Sequence, residues 1–189
     1  MEGEARRRHP PLRLRTSLPN PDVDYLWTPW RYQYITAPDA PDGCVFCRAA
    51  ESADDRENLV VHRARRNFII LNRFPYTNGH VLIVPFEHVP SLEEVAEETL
   101  IEMTLLARQT ERHLRSIYRP DGMNIGMNLG KSAGAGIVGH IHLHMLPRWT
   151  GDTNFMTVTG ETRVLPEELK VTWEKLRAAF GDEAGSPTR

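Results

Sequence analysis

A chain of 189 residues, 40% of them hydrophobic and 25% charged, has the material for one globular domain with tails. No apolar run approaches the roughly 20 residues that cross a bilayer as a helix, so a membrane protein is not expected. The net charge of -2 speaks against long nucleic acid as a partner while leaving small anions open.

The basic run Arg6-Arg7-Arg8-His9 meets Pro10 and Pro11 where a signal peptide needs a continuous apolar stretch. Cys44 and Cys47 are the only cysteines, which is no secreted disulfide framework. A reducing, cytoplasmic setting is expected. Residues 1–24 carry Pro10, Pro11, Pro19 and Pro21 among polar residues and read as a disordered arm. A single domain is expected over 25–180, beginning with the aromatic segment Trp27 to Tyr34, and a flexible tail over 181–189.

Strands are predicted at Leu59–His62, Phe68–Asn72, His80–Val84 and Met123–Asn128 from β-branched or alternating apolar residues. The second and third are joined through Asn78-Gly79, a hairpin signal. Ser91-Leu92-Glu93-Glu94 reads as a capping box opening a long helix. Its apolar row is Ala96, Leu100, Met103, Ala107, Leu114 and Ile117, with a gap at Thr110, and Arg119-Pro120-Asp121-Gly122 ends it. A fifth strand is predicted over Val138–Leu146, and a C-terminal helix over about Pro166–Phe180 with Leu169, Trp173, Leu176 and Phe180 on one side. Strands grouped around one long helix indicate an α+β domain with an antiparallel sheet of about five strands.

His140, His142 and His144 are separated by Ile141 and Leu143. A period of two on a strand turns all three imidazoles to one side and the apolar pair to the core, whereas a helix would scatter both sets. Three readings stay open from the residues alone: a polar face that happens to hold histidines, a metal site, and a catalytic row.

His140 to Leu146 resembles the signature of the histidine-triad family, histidines alternating with apolar residues. Asn72-Arg73-Phe74-Pro75 and Asn78-Gly79-His80-Val81-Leu82-Ile83-Val84-Pro85 are similar to its upstream segment. The likeness covers about Cys44 to Arg148. Pro147 to Phe155 resembles a bacterial branch that includes diadenosine tetraphosphate phosphorylases.

The resemblance implies that His142 is the nucleophile forming a nucleotidyl-histidine intermediate. His144 would contact the transferring phosphate or leaving oxygen, and His140 would support the strand or hold a metal. It implies Asn72 on the ribose, His80 in a structural hydrogen bond beside the triad, and a homodimer, for which the long helix and Trp27 to Tyr34 offer interface material. A neutral imidazole suits the nucleophilic role if its other nitrogen donates to a carbonyl.

The loop from Asn128 to Gly136 is suited to phosphate: Gly130, Gly134 and Gly136 free the backbone N–H groups, Lys131 adds charge, and Asn128 and Ser132 add donors. Many family members carry Ser or Thr three residues before the first histidine. Here that residue is Ile137, so Ser132 is the candidate contact. Phe68, Ile70 and Leu82 are candidates for the base pocket, and Trp149 for a further nucleotide contact. His62 and His113 read as surface residues.

Cys44-Val45-Phe46-Cys47 has the gap that lets two thiolates reach one tetrahedral zinc, with His88 and His140 able to complete the set. A redox pair or two plain core cysteines are the rivals. The expected activity is cleavage of a dinucleoside polyphosphate with inorganic phosphate as acceptor, by an enzyme that needs no organic cofactor. Alternatives are water as acceptor, a phosphoramidase, a nucleotide-binding module without turnover, and a zinc protein whose three strand histidines all serve metal.

Overall fold

The computed structural model describes residues 43–152 and 167–183. The arm, the segment Trp27 to Tyr34, and Thr153 to Phe155 lie outside them. The elements in chain order are α1 (Val45–Glu51), β1 (Val60–Arg63), β2 (Asn67–Leu71), β3 (Val81–Pro85), α2 (Glu97–Tyr118), β4 (Gly122–Gly126), β5 (Leu143–Arg148) and α3 (Leu169–Glu183). Short 3₁₀ turns stand at Leu92–Glu94 and Lys131–Ala133. The five strands form one antiparallel sheet in the order β1-β2-β3-β5-β4.

The β2–β3 hairpin turns at Gly79, whose φ of +74° favours glycine. A Cβ there would come within 3.0 Å of Leu114 and Tyr118 on α2, so the same residue lets the helix approach. β2 and β3 are buried throughout.

Helix α2 starts at Glu97, later than the capping signal predicts. Ser91 Oγ donates to Glu94 Oε1 at 2.9 Å and orders only the 3₁₀ turn before the helix. The buried stripe of α2 is Thr99, Met103, Leu106, Thr110, His113 and Leu114. It has helical spacing but is rotated from the apolar row, because two threonines and a histidine belong to it. His113 is therefore no surface residue: it is buried, with its ring 4.5 Å from that of Phe180 on α3. His62 stacks on the same Phe180 at 5.0 Å and is half-buried. Ile101 and Leu105 stand exposed, one turn apart on the outer side of α2.

Helix α3 continues to Glu183, past the point where a tail is expected at 181. It lies along the outer edge of β1, where Trp173 Nε1 donates to Val60 O and Arg177 Nη1 to Val61 O, each at 2.9 Å. A buried carbonyl left without such a donor would cost about 1–3 kcal/mol. Among the described residues no helix is long and apolar enough to cross a membrane.

Candidate functional site

A cavity of about 230 Å³ opens on the sheet. Its floor follows from strand register: Ile70 on β2 faces Leu82 on β3, which faces His144 on β5. These cross-strand partners point to one side. Phe46 and Ala49 from α1, with Leu59, Leu71 and His142, complete the buried wall.

The triad is not one continuous strand. β5 begins at Leu143, so only His144 of the three histidines lies in the ladder. Upstream of Leu143 the chain leaves the ladder although β3 continues to Pro85, and Ile141 N donates instead to Val89 O at 2.8 Å. His142 lines the cavity while His140 does not, and Phe46 touches both: its ring centroid is 5.4 Å from His140 and 5.0 Å from His142.

His142 Nδ1 lies 2.9 Å from the carbonyl oxygen of His140. A carbonyl only accepts, so Nδ1 carries the proton and the lone pair sits on Nε2. Burial pushes the imidazole below its usual range, with the His140 carbonyl pulling the other way. At neutral pH His142 is thus an uncharged ring with one nucleophilic nitrogen.

His144 is fixed differently. The Tyr76 N–H donates to His80 Nδ1 at 3.2 Å, so the proton of His80 is on Nε2, which donates to His144 Nδ1 at 3.0 Å. The relay leaves the His144 proton on Nε2, making it a donor where its neighbour is a nucleophile. His80 is 1% exposed, as a residue with a fixed orientation must be. Asn72 braces the same corner: its Oδ1 accepts from the Phe74 N–H at 3.0 Å, and its Nδ2 lies 3.3 Å from His80 Nδ1.

Cys44, Cys47, His88 and His140 bring their ligand atoms within 4.8 Å of one another. His140 Nε2 donates to Pro85 O at 2.9 Å and its Nδ1 faces the sulfurs, 3.3 Å from Cys44 Sγ and 3.7 Å from Cys47 Sγ. His88 Nδ1 lies 3.2 Å from Cys47 Sγ. A tetrahedral ion with Zn–S bonds of about 2.3 Å and Zn–N bonds of about 2.0 Å needs edges of roughly 3.3–3.8 Å. The cluster is therefore of a size to hold a metal. Burial, then the neighbouring Cys44, pushes the Cys47 thiol up, a penalty that a cation bound between the sulfurs removes.

The HIT domain family model matches residues 54–151. The chain is 36% identical over 154 residues to the AP-4-A phosphorylase of Mycobacterium tuberculosis, covering 78% of this chain and 79% of that protein. The chain belongs to the HIT-domain family. It is also 33% identical over 113 residues to an uncharacterized HIT-like protein of Saccharolobus solfataricus, covering 60% of this chain and 79% of that one. Among solved structures, a Zn-bound histidine triad family protein from Mycobacterium smegmatis superimposes with a TM-score of 0.60 at 28% identity, covering 75% of this chain and 95% of that chain. The HIT fold expected from the resemblance is the fold observed.

Within this HIT domain the cavity gathers His142, His144, Asn72, Ile70, Leu82, Asn128, Gly134 and Gly136 from the sequence-based candidates. Others stand outside its lining, His140 among them, which faces the cysteines instead. Phe68 is on the same side of β2 as Ile70, but one pair further along, where it is fully buried and stacks on Phe86 at 5.2 Å. Lys131 and Ser132 are exposed on the 3₁₀ turn, which ends at Gly134 with φ +88°. Trp149 lies five residues beyond His144, roughly 17 Å along an extended strand. There its N–H donates to Asp152 Oδ2 at 3.1 Å. Ile137, which replaces the family hydroxyl, does reach the cavity, and so do Phe46, Arg48, Asn58, Arg73, Phe74 and Tyr76. The cysteine motif brackets Phe46, and the upstream motif contains Arg73 and Phe74, but neither pattern says which way those side chains face.

Proposed function

We propose that this HIT protein cleaves dinucleoside polyphosphates of the diadenosine tetraphosphate type in two displacements, with inorganic phosphate as the second acceptor. The observation that carries the reading is the 2.9 Å contact of His142 Nδ1 with its own backbone, which commits one nitrogen and leaves Nε2 for the cavity. The likeness to the AP-4-A phosphorylase of Mycobacterium tuberculosis supports both substrate and acceptor.

In the first step His142 Nε2 bonds to the α-phosphorus and the bridging P–O bond breaks, releasing ATP. The His144 Nε2–H steadies the oxygen on which charge collects. In the second step a phosphate oxygen bonds to the same phosphorus and the P–N bond breaks. The electron pair returns to His142 Nε2, and ADP leaves. Each displacement needs positioned donors more than acid or base strength. Asn128 and the backbone N–H of Gly136 supply donors on the phosphate, Asn72 meets the ribose, and Ile70 and Leu82 pack against the base. The contact expected of Ser132 passes to Asn128, which lines the cavity.

Zinc is the ion that two thiolates and two imidazoles suit. Cys44, Cys47, His88 and His140 would hold it, and its binding energy would join the entrance of α1 to the segment that carries the triad.

Incubation with diadenosine tetraphosphate, with and without inorganic phosphate, tests the reaction. ADP with ATP, formed only when phosphate is present, is the expected result. AMP with ATP at a rate indifferent to phosphate would make water the acceptor, and an inert substrate would defeat the proposal altogether.

A further inference from the structure

The cavity has two kinds of wall. Its depth is apolar and closed: Phe46, Ala49, Ile70, Leu71 and Leu82 are each 8% exposed or less. Its border is open and of another chemistry. Phe74 is 44% exposed, and Arg48 and Arg73 are exposed as well, all three among the lining residues. About 230 Å³ falls below the roughly 300 Å³ at which pockets begin to enclose a drug-sized ligand. A volume of that order suits one nucleoside.

A substrate with a nucleoside at each end of a polyphosphate must therefore place one end outside the closed part. Building on the function proposed above, we infer that the border formed by Arg48, Arg73 and Phe74 is the subsite for the leaving half, a nucleoside triphosphate. The two guanidiniums meet the distal phosphates, for which their planar forks are suited, and the Phe74 ring receives the second base. Stacking on an aromatic face tolerates any base, so this end selects for a nucleoside without selecting which one.

Phe74 is held for the task. Its N–H donates to Asn72 Oδ1 at 3.0 Å, and Asn72 in turn adjoins the His80 ring that orients His144. The residue that stacks and the residue that donates to the scissile region thus share one brace.

The experiment compares diadenosine tetraphosphate with adenosine tetraphosphate, which has the same phosphate chain and lacks the second nucleoside. The readout is the ratio of kcat/KM for the first over the second. In the parent protein this ratio should exceed about 10, the scale set by stacking of one base. Phe74→Ala should bring it close to one, while Phe74→Trp, which keeps a stacking surface, should retain it. Arg73→Gln should lower kcat/KM for the tetraphosphate more than for diadenosine diphosphate, whose chain stops short of the border, by roughly fivefold. A parent that cleaves both tetraphosphates equally, or a ratio untouched by Phe74→Ala, overturns the subsite and leaves the reaction standing. A parent that cleaves neither overturns the reaction and the subsite together.

Discussion

His140 and His142 stand two residues apart, and the main chain has claimed opposite nitrogens of their rings. In His140 the Pro85 carbonyl holds Nε2, so Nδ1 faces two sulfurs. In His142 the His140 carbonyl holds Nδ1, so Nε2 is left for the cavity. One imidazole becomes a candidate metal ligand and the other a candidate nucleophile, although both are buried and both are pushed by burial below their usual range. What an imidazole can do is thus decided less by its surroundings at large than by which nitrogen a carbonyl occupies.

Three substitutions would break that division or sharpen it. The largest effect is expected from His142→Ala: turnover should fall on the order of 10⁴-fold or more, as when a nucleophile is removed, with metal content and melting temperature unchanged. Metal lost along with activity would merge the two roles, a result that metal analysis beside the assay would expose. Next is Cys47→Ser, which removes a sulfur within 3.7 Å of both imidazoles of the cluster. Bound zinc should disappear, and the melting temperature should drop by about 10 °C, as a loss of roughly 3 kcal/mol implies in a domain of this size. A chelator should lower the parent to the same temperature and leave the variant where it was; an equal fall in both would mean that the thiols hold no ion. The smallest effect is expected from His80→Ala, which frees the His144 tautomer without touching either role compared above. A loss of kcat on the order of 10²-fold, typical of one positioned proton donor, should leave KM within about twofold; a change confined to KM would count against the relay.

The sequence carried much of this where one residue could take only one part. The hairpin at Asn78-Gly79, the five strands and the C-terminal helix follow from periodicity and turn chemistry, and they appear in the fold; of the histidine row, His142 and His144 line the cavity while His140 faces the cysteines. The four-residue cluster of Cys44, Cys47, His88 and His140 was also legible, from the two-residue gap between the cysteines together with the resemblance to the histidine-triad family, and its ligand atoms come within 4.8 Å of one another. Less legible was position along an element. Phe68 and Ile70 share one side of β2, and only the register with β3 and β5 shows that Ile70 lies beneath the cavity while Phe68 lies beneath Phe86. Lys131 and Ser132 looked like phosphate ligands by composition, but the backbone at Gly130 and Gly134, each at positive φ, presents that turn outward. The buried stripe of α2 escaped an apolar count because Thr99, Thr110 and His113 belong to it.

Helix α1 is only seven residues long, and it serves two sites. Its entrance carries Cys44 and Cys47, while Phe46, Arg48 and Ala49 from the same two turns face the nucleotide cavity. Any coupling between the occupants of the two sites would run through this helix and be reciprocal. Whatever free energy an ion in the sulfur cluster lends to nucleotide affinity, the nucleotide must lend back to the ion in equal measure, and the common lever is one short helix with the Phe46 ring at its centre.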